Sequence, residues 1–146
     1  MPTVQSTYGT MSAARAGMIA NAEEMGNDIS RTVEDAAGIG FGLPVFQGSA
    51  DDGITATVGT AFRGITVRSQ ARDAVNPNVY AEHESAKVRT KGVIWVTVLA
   101  AVTAGAAVYF TDDGEWTDTS TDNTAVTNAI FDSSASAGGL AKIRLA

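Results

Sequence analysis

At 146 residues and 15.0 kDa, the chain is long enough for one domain with its own core, and its lack of cysteine excludes a disulfide framework, a thiolate nucleophile and a cysteine-based metal site. A net charge of −6 and a pI near 4.6 argue against a nucleic-acid surface, which relies on clustered Lys and Arg. Charged residues make up 18% of the chain, too few for long surface helices, whereas abundant Ala, Gly and Thr suit closely spaced strands and turns.

The opening MPTVQSTYGT is polar and has no basic signal-peptide start, so nothing in it points to export. Residues 1–12 read as an extended N-terminal arm in which Val4, Ser6 and Tyr8 alternate with Thr3, Gln5 and Thr7, and residues 13–146 read as a single β-rich domain. In AARAGMIANAEE (13–24), Gly17 interrupts any helix and no Glu or Gln completes a capping box after Ser12, which predicts loop or strand. Ile29, Arg31 and Val33 alternate with Ser30 and Thr32 in a short strand, and AAGIGF (36–41) is too rich in glycine for an element interior. Residues 42–47 set Leu43, Val45 and Phe46 around Pro44, which permits an edge strand but not a central one.

After the turn Asp51-Asp52-Gly53, residues 54–58 alternate apolar and hydroxyl side chains, and residues 62–68 repeat the alternation with Ile65 and Val67 inward and Thr66 and Arg68 outward. The two segments predict a hairpin. Asn76-Pro77-Asn78 marks a loop, and Lys87-Val88-Arg89-Thr90-Lys91 puts three cations on one strand face. The uncharged run 92–111 is apolar enough to cross a bilayer as a helix, yet its first half (VIWVTV) is dense in β-branched and aromatic residues and Gly105 interrupts it. It predicts two strands, 93–98 and 106–110, with core burial in place of membrane insertion. Asp112-Asp113-Gly114 makes a turn, 117–124 a polar loop, and 125–131 with 140–145 a closing pair with Ile143 and Leu145 inward and Lys142 and Arg144 outward. About ten short strands at these spacings predict an all-β sandwich or barrel.

Catalytic and metal motifs are weak throughout. His83 is the single histidine; Glu82 and Glu84 would point away from it on a strand and could converge with it only in a loop, no second His or Cys completes a zinc site, and an exposed, solvated side chain is expected. The two Asp-Asp-Gly turns lack the spacing and distal Glu of a calcium loop. Gly38, Gly40 and Gly42 fall short of a dinucleotide fingerprint, and no GxSxG elbow accompanies a Ser or Thr. No cofactor is expected, and the chain does not read as an enzyme. Lys87, Arg89 and Lys91 form either a solvated face or a patch meeting an acidic partner. Trp95 and Trp116 suit core packing better than a ligand platform.

The segments AGMIAN (16–21), NDISRTVEDAAGIGFGLPVFQGS (27–49), FRGITVRS (62–69) and KGVIWVTVLAAVTAGAAVYF (91–110), with the ending GLAKIRL, together resemble the structural cement proteins that decorate the capsids of tailed bacteriophages. The resemblance rests on the order of the motifs: Phe41-Gly42, then the F-x-G-I-x-V strand from Phe62 to Val67, then G-x-I-W-V from Gly92 to Val96, then V-x-x-G-x-x-V-Y from Val102 to Tyr109. Leu99-Ala100-Ala101 departs from the pattern, being more apolar than the turn expected there. The resemblance implies a jelly-roll-like β-sandwich or barrel, made in the host bacterial cytoplasm and bound to the outer surface of the head. There it would staple neighbouring capsomers of the major capsid protein against the pressure of packaged DNA. It also implies a homodimer, or alternatively a trimer, with no nucleic acid or membrane as partner. Val4, Tyr8 and Met11 of the arm and Lys87, Arg89 and Lys91 are the expected partner contacts. The alternative is a virion-surface carbohydrate- or host-binding β domain centred on Trp116 and the 117–124 loop.

Overall fold

A computed structural model of the chain describes residues 14–21, 26–70 and 77–146. Among them the chain forms β1 (Ile19–Asn21), β2 (Asn27–Val33), β3 (Ile39–Gly40), β4 (Pro44–Gln47), β5 (Gly53–Thr55) and β6 (Phe62–Thr66). It continues through β7 (Val79–Tyr80), β8 (Ser85–Thr97), β9 (Ala107–Phe110), β10 (Trp116–Thr117), β11 (Thr124–Phe131) and β12 (Leu140–Leu145). The all-β expectation holds, as do the strand at 29–33, the closing β11–β12 pair and both Asp-Asp-Gly turns. The arm, with Val4, Tyr8 and Met11, lies outside the described residues.

The organising element is β8, 13 residues long, which unites two segments that read separately in the sequence, the Lys87 stretch and the Val93 stretch. Its N-terminal half pairs antiparallel with β2 on one side and β6 on the other; β2 pairs parallel with β5, β5 with β4, and β4 with β6. This closes a five-stranded mixed barrel. The C-terminal half of β8 pairs with β12, which leads outward through β11 and β9 to β10, while β1 lies along its other side. A parallel bridge between Val98 and Trp116 brings the last outer strand back beside the end of β8. These pairings do not show the jelly-roll order.

Even-numbered side chains point inward along the whole of β8, and the strand serves two cores through its length: one half lies in the barrel and the other runs beside β12. Ala86 and Val88 join Val33, Val45 and Ile54 in one buried cluster, which extends to Phe41 and Tyr80. Ile94, Val96 and Val98 join Phe46, Ile65, Phe110, Trp116, Phe131 and Ile143 in the other. Aromatic edge contacts stiffen the second core, with ring centroids 5.1 Å apart for Phe46 and Phe110 and 6.5 Å for Phe110 and Trp116. The apolar run 92–111 is therefore strand, turn and strand, and no helix among the described residues is long and apolar enough to cross a membrane.

Several local expectations are corrected. The segments at 54–58 and 62–68 are not a hairpin, because β4 sits between β5 and β6 and pairs with both. That also makes β4 internal, not an edge; Pro44 is tolerated because it is the first residue of the strand. The strands at 93–98 and 106–110 do not pair with each other: β9 lies between β10 and β11. Within glycine-rich 36–41, Ile39 and Gly40 pair with Tyr80 and Val79. Thr66, expected outward, is fully buried; its hydroxyl donates to Gly40 O (2.7 Å) and accepts from Leu43 N (3.1 Å), so both of its capacities are used.

At the barrel seam Gly64 adopts φ 141°, and a Cβ there would collide with the carbonyl oxygen of Arg89 on β8. Gly64→Ala is expected to cost about 2 kcal/mol through this clash and the strained dihedral. A urea titration showing an unchanged midpoint would refute that reading.

Candidate functional site

The expected cationic face at Lys87, Arg89 and Lys91 is not a uniform stripe. Lys87 and Lys91 are exposed, but Arg89 is buried. Its guanidinium holds Asp28 of β2 in a two-pronged pair, Nε donating to Oδ1 at 2.8 Å and Nη2 to Oδ2 at 3.2 Å, while Nη1 reaches Val93 O at 3.4 Å. Lys87 Nζ lies 3.3 Å from the same carboxylate. Strict alternation places Arg89 with its neighbours Lys87 and Lys91; a register shift between Asn27 and Asp28 on the partner strand brings Asp28 opposite Arg89 and supplies a half-buried carboxylate. Gly92 (φ 113°) leaves the room that the guanidinium fills, since a Cβ there would overlap Arg89 Nη1. Asp28 was visible in the sequence only as the acidic residue of NDIS, with nothing local to pair it with a residue so distant in the chain.

Burial pushes the Asp28 carboxyl up, but hydrogen bonds and charge from Arg89, then from Lys87, outweigh it and hold the group below its ordinary 3.8. The result is a fixed cluster of two cations on one carboxylate at the β2–β8 surface, with the exposed Lys91 farther along the same strand. Farther along the sheet, Lys142 Nζ sits 5.6 Å from the Trp95 ring centroid and Arg144 Nη2 is 3.2 Å from Asp132 Oδ2, so both outward cations of β12 are held in place.

Two further acidic residues missed in the sequence shape the barrel mouth. Glu34 accepts from Ala50 N (2.9 Å), Ser49 N (2.8 Å) and Ser49 Oγ (3.1 Å), and Asp35 accepts from Thr55 Oγ1 (2.6 Å) and Ala56 N (2.8 Å). Consecutive carboxylates thus clasp the two ends of the segment carrying β5. The backbone donors of Ala50 and Ser49 hold Glu34 below its ordinary 4.5. A carboxylate lowered in the folded state contributes stability that is present above its unfolded value and lost as pH falls through its folded value. Stability is therefore expected to hold down to about pH 4.5 and to decline below it, first through Glu34 and then, below 3.8, through Asp28. Glu34→Gln should remove the earlier part of that decline; urea midpoints of variant and parent that fall in parallel from pH 5 to 3 would contradict it.

His83 lies in a turn with φ 65° and its side chain is 81% exposed, with Glu82 3.6 Å away. Among the described residues no group of three or more His, Cys, Asp or Glu is placed to hold a metal ion. Trp116 is 1% exposed, its indole Nε1 donating to Gly42 O at 2.8 Å, so it cannot serve as the stacking platform of the alternative carbohydrate-binding reading.

The chain matches the family model described as structural cement protein (E217 gp24/Pam3 gp6) over residues 4–146. No curated protein matches significantly. Among solved structures it is similar to a chain in the capsid of Myoviridae phage XM1, with 22% identity, a TM-score of 0.76, and coverage of 99% of this chain and 98% of that one. At that identity the likeness speaks for the fold. The family match spans both cores and the β8 strand they share, and on it the chain belongs to the structural cement proteins, non-enzymatic components of the phage capsid.

Proposed function

We propose that the chain binds the outer surface of a tailed-phage head and staples neighbouring capsomers of the major capsid protein against internal DNA pressure. Family membership over residues 4–146 carries this reading. A rigid small domain suits the task, because many copies of a modest interface add up through multivalent engagement without any one being tight. We assign the contacts to Val4, Tyr8 and Met11 and to Lys87 and Lys91 on β8; Arg89, held by Asp28, fixes the strand from which those lysines project. Two copies at a two-fold axis are the preferred assembly, with a trimer at a local three-fold as the alternative.

The test uses expanded heads lacking the protein. Adding the purified chain should raise the temperature at which heads release DNA, and removing residues 1–12 should weaken binding. Heads that neither bind the full chain nor gain stability would end the proposal. Sedimentation of the free chain at 15.0 kDa would remove the preformed dimer.

A further inference from the structure

The apolar departure at Leu99-Ala100-Ala101 places a hydrophobic ridge on the surface: Leu99 is 48% exposed. Beside it runs a groove of about 350 Å³ lined by Leu43, Val98, Leu99, Glu115, Trp116 and Gly138. Its walls are fixed from behind. Leu99 N donates to Trp116 O (2.9 Å), Gly138 N donates to Val98 O (2.9 Å), and the Trp116 indole is anchored on Gly42. An exposed bulky apolar side chain at the lip of a preformed apolar groove is a docking feature, because it loses unfavourable hydration when covered while the groove needs little reordering.

Charge specifies what would cover it. Glu115 lines the groove, and the exposed Asp112 and Asp113 belong to the same tight turn, closed by Gly114 N to Thr111 O and Thr111 N to Glu115 O, both 2.9 Å. No Lys, Arg or His occurs between Lys91 and Lys142, so β9, β10, β11 and their connections supply no cation to balance these three carboxylates. The lip is therefore apolar on one side and negative on the other.

We infer that this groove docks a short extended segment of the shell protein in which a bulky apolar side chain neighbours a Lys or Arg. The apolar group packs against Leu99 and Leu43, over a floor that buried Trp116 and Val98 hold in place, and the cation meets Glu115. The inference rests on the cement reading and adds the face engaged, on the opposite half of β8 from Lys87.

The experiment measures binding of the full chain to expanded heads lacking it, for Leu99→Asp, Glu115→Lys and a control, Ile130→Asp, which alters the other exposed large hydrophobic among the described residues, at 42%. Leu99→Asp and Glu115→Lys should each weaken binding at least about tenfold with the thermal midpoint unchanged, and the control should bind as the parent. Raising salt should weaken the parent more than Glu115→Lys. Parent-like binding by a folded Leu99→Asp, or by Glu115→Lys should Leu99→Asp not fold, overturns the groove while leaving the cement reading standing. Equal loss in the control overturns it too. A parent that does not bind heads removes both. If Leu99→Asp instead converts a free dimer to monomers, a second copy occupies the groove and the inference is wrong.

Discussion

Trp116→Ala is expected to destabilise the protein by about 4 kcal/mol, the largest effect of any single truncation considered, because it removes a fully buried indole and leaves a cavity in a close-packed core. Trp116 contacts Phe110 and Phe62 edge-on at 6.5 Å in both cases, and its Nε1 satisfies the carbonyl of Gly42, which would be left without that partner. Trp116→Phe keeps most of the apolar volume but not the donor, and should cost about half as much, about 2 kcal/mol. Equilibrium urea unfolding followed by the fluorescence of Trp95 and by circular dichroism gives both values. Equal losses for Ala and Phe would assign the energy to the hydrogen bond and not to packing.

The second large effect is at Asp28. Replacing it with Ala leaves the Arg89 guanidinium, whose side chain is 6% exposed, without its carboxylate, and is expected to cost about 3 kcal/mol. The Asp28 side chain is itself only 17% exposed, so solvent screening takes little from that figure. Most of the loss reflects a stranded buried charge, not the net worth of the pair. Arg89→Met in the Asp28→Leu background should therefore recover a large part of it. A double variant as unstable as Asp28→Ala alone would show that the pair contributes through specific geometry. Measuring Asp28→Leu and Arg89→Met singly beside their combination completes a double-mutant cycle that separates the coupling from the individual substitutions.

How far the sequence could be read follows from the range of the interactions involved. Alternation is local, so Ile143 and Leu145 inward and the strands of β11 and β12 were legible from a few residues. Pairing partners are not local. The turn-punctuated segments at 54–58 and 62–68 looked adjacent, yet β4 was inserted between them because Phe46 and Val45 needed neighbours on both sides. The same limit hid Thr66, whose polar partners Gly40 and Leu43 arrive from another part of the chain. It also hid Arg89, which looked like the middle of a solvent-facing stripe until a register shift supplied Asp28. Leu99-Ala100-Ala101 was the opposite case: its oddity was readable in the sequence, but only the groove beside it gives that oddity a use.

One strand being common to both cores has a thermodynamic corollary. A domain with two separate hydrophobic clusters ordinarily has two candidate units of local unfolding. Here, peeling apart the barrel frees the β8 residues that pair with β12, and melting the outer strands unclamps the same backbone that closes the barrel. The shared strand couples the two halves, so a single cooperative unfolding transition is expected, with both cores lost at one urea midpoint.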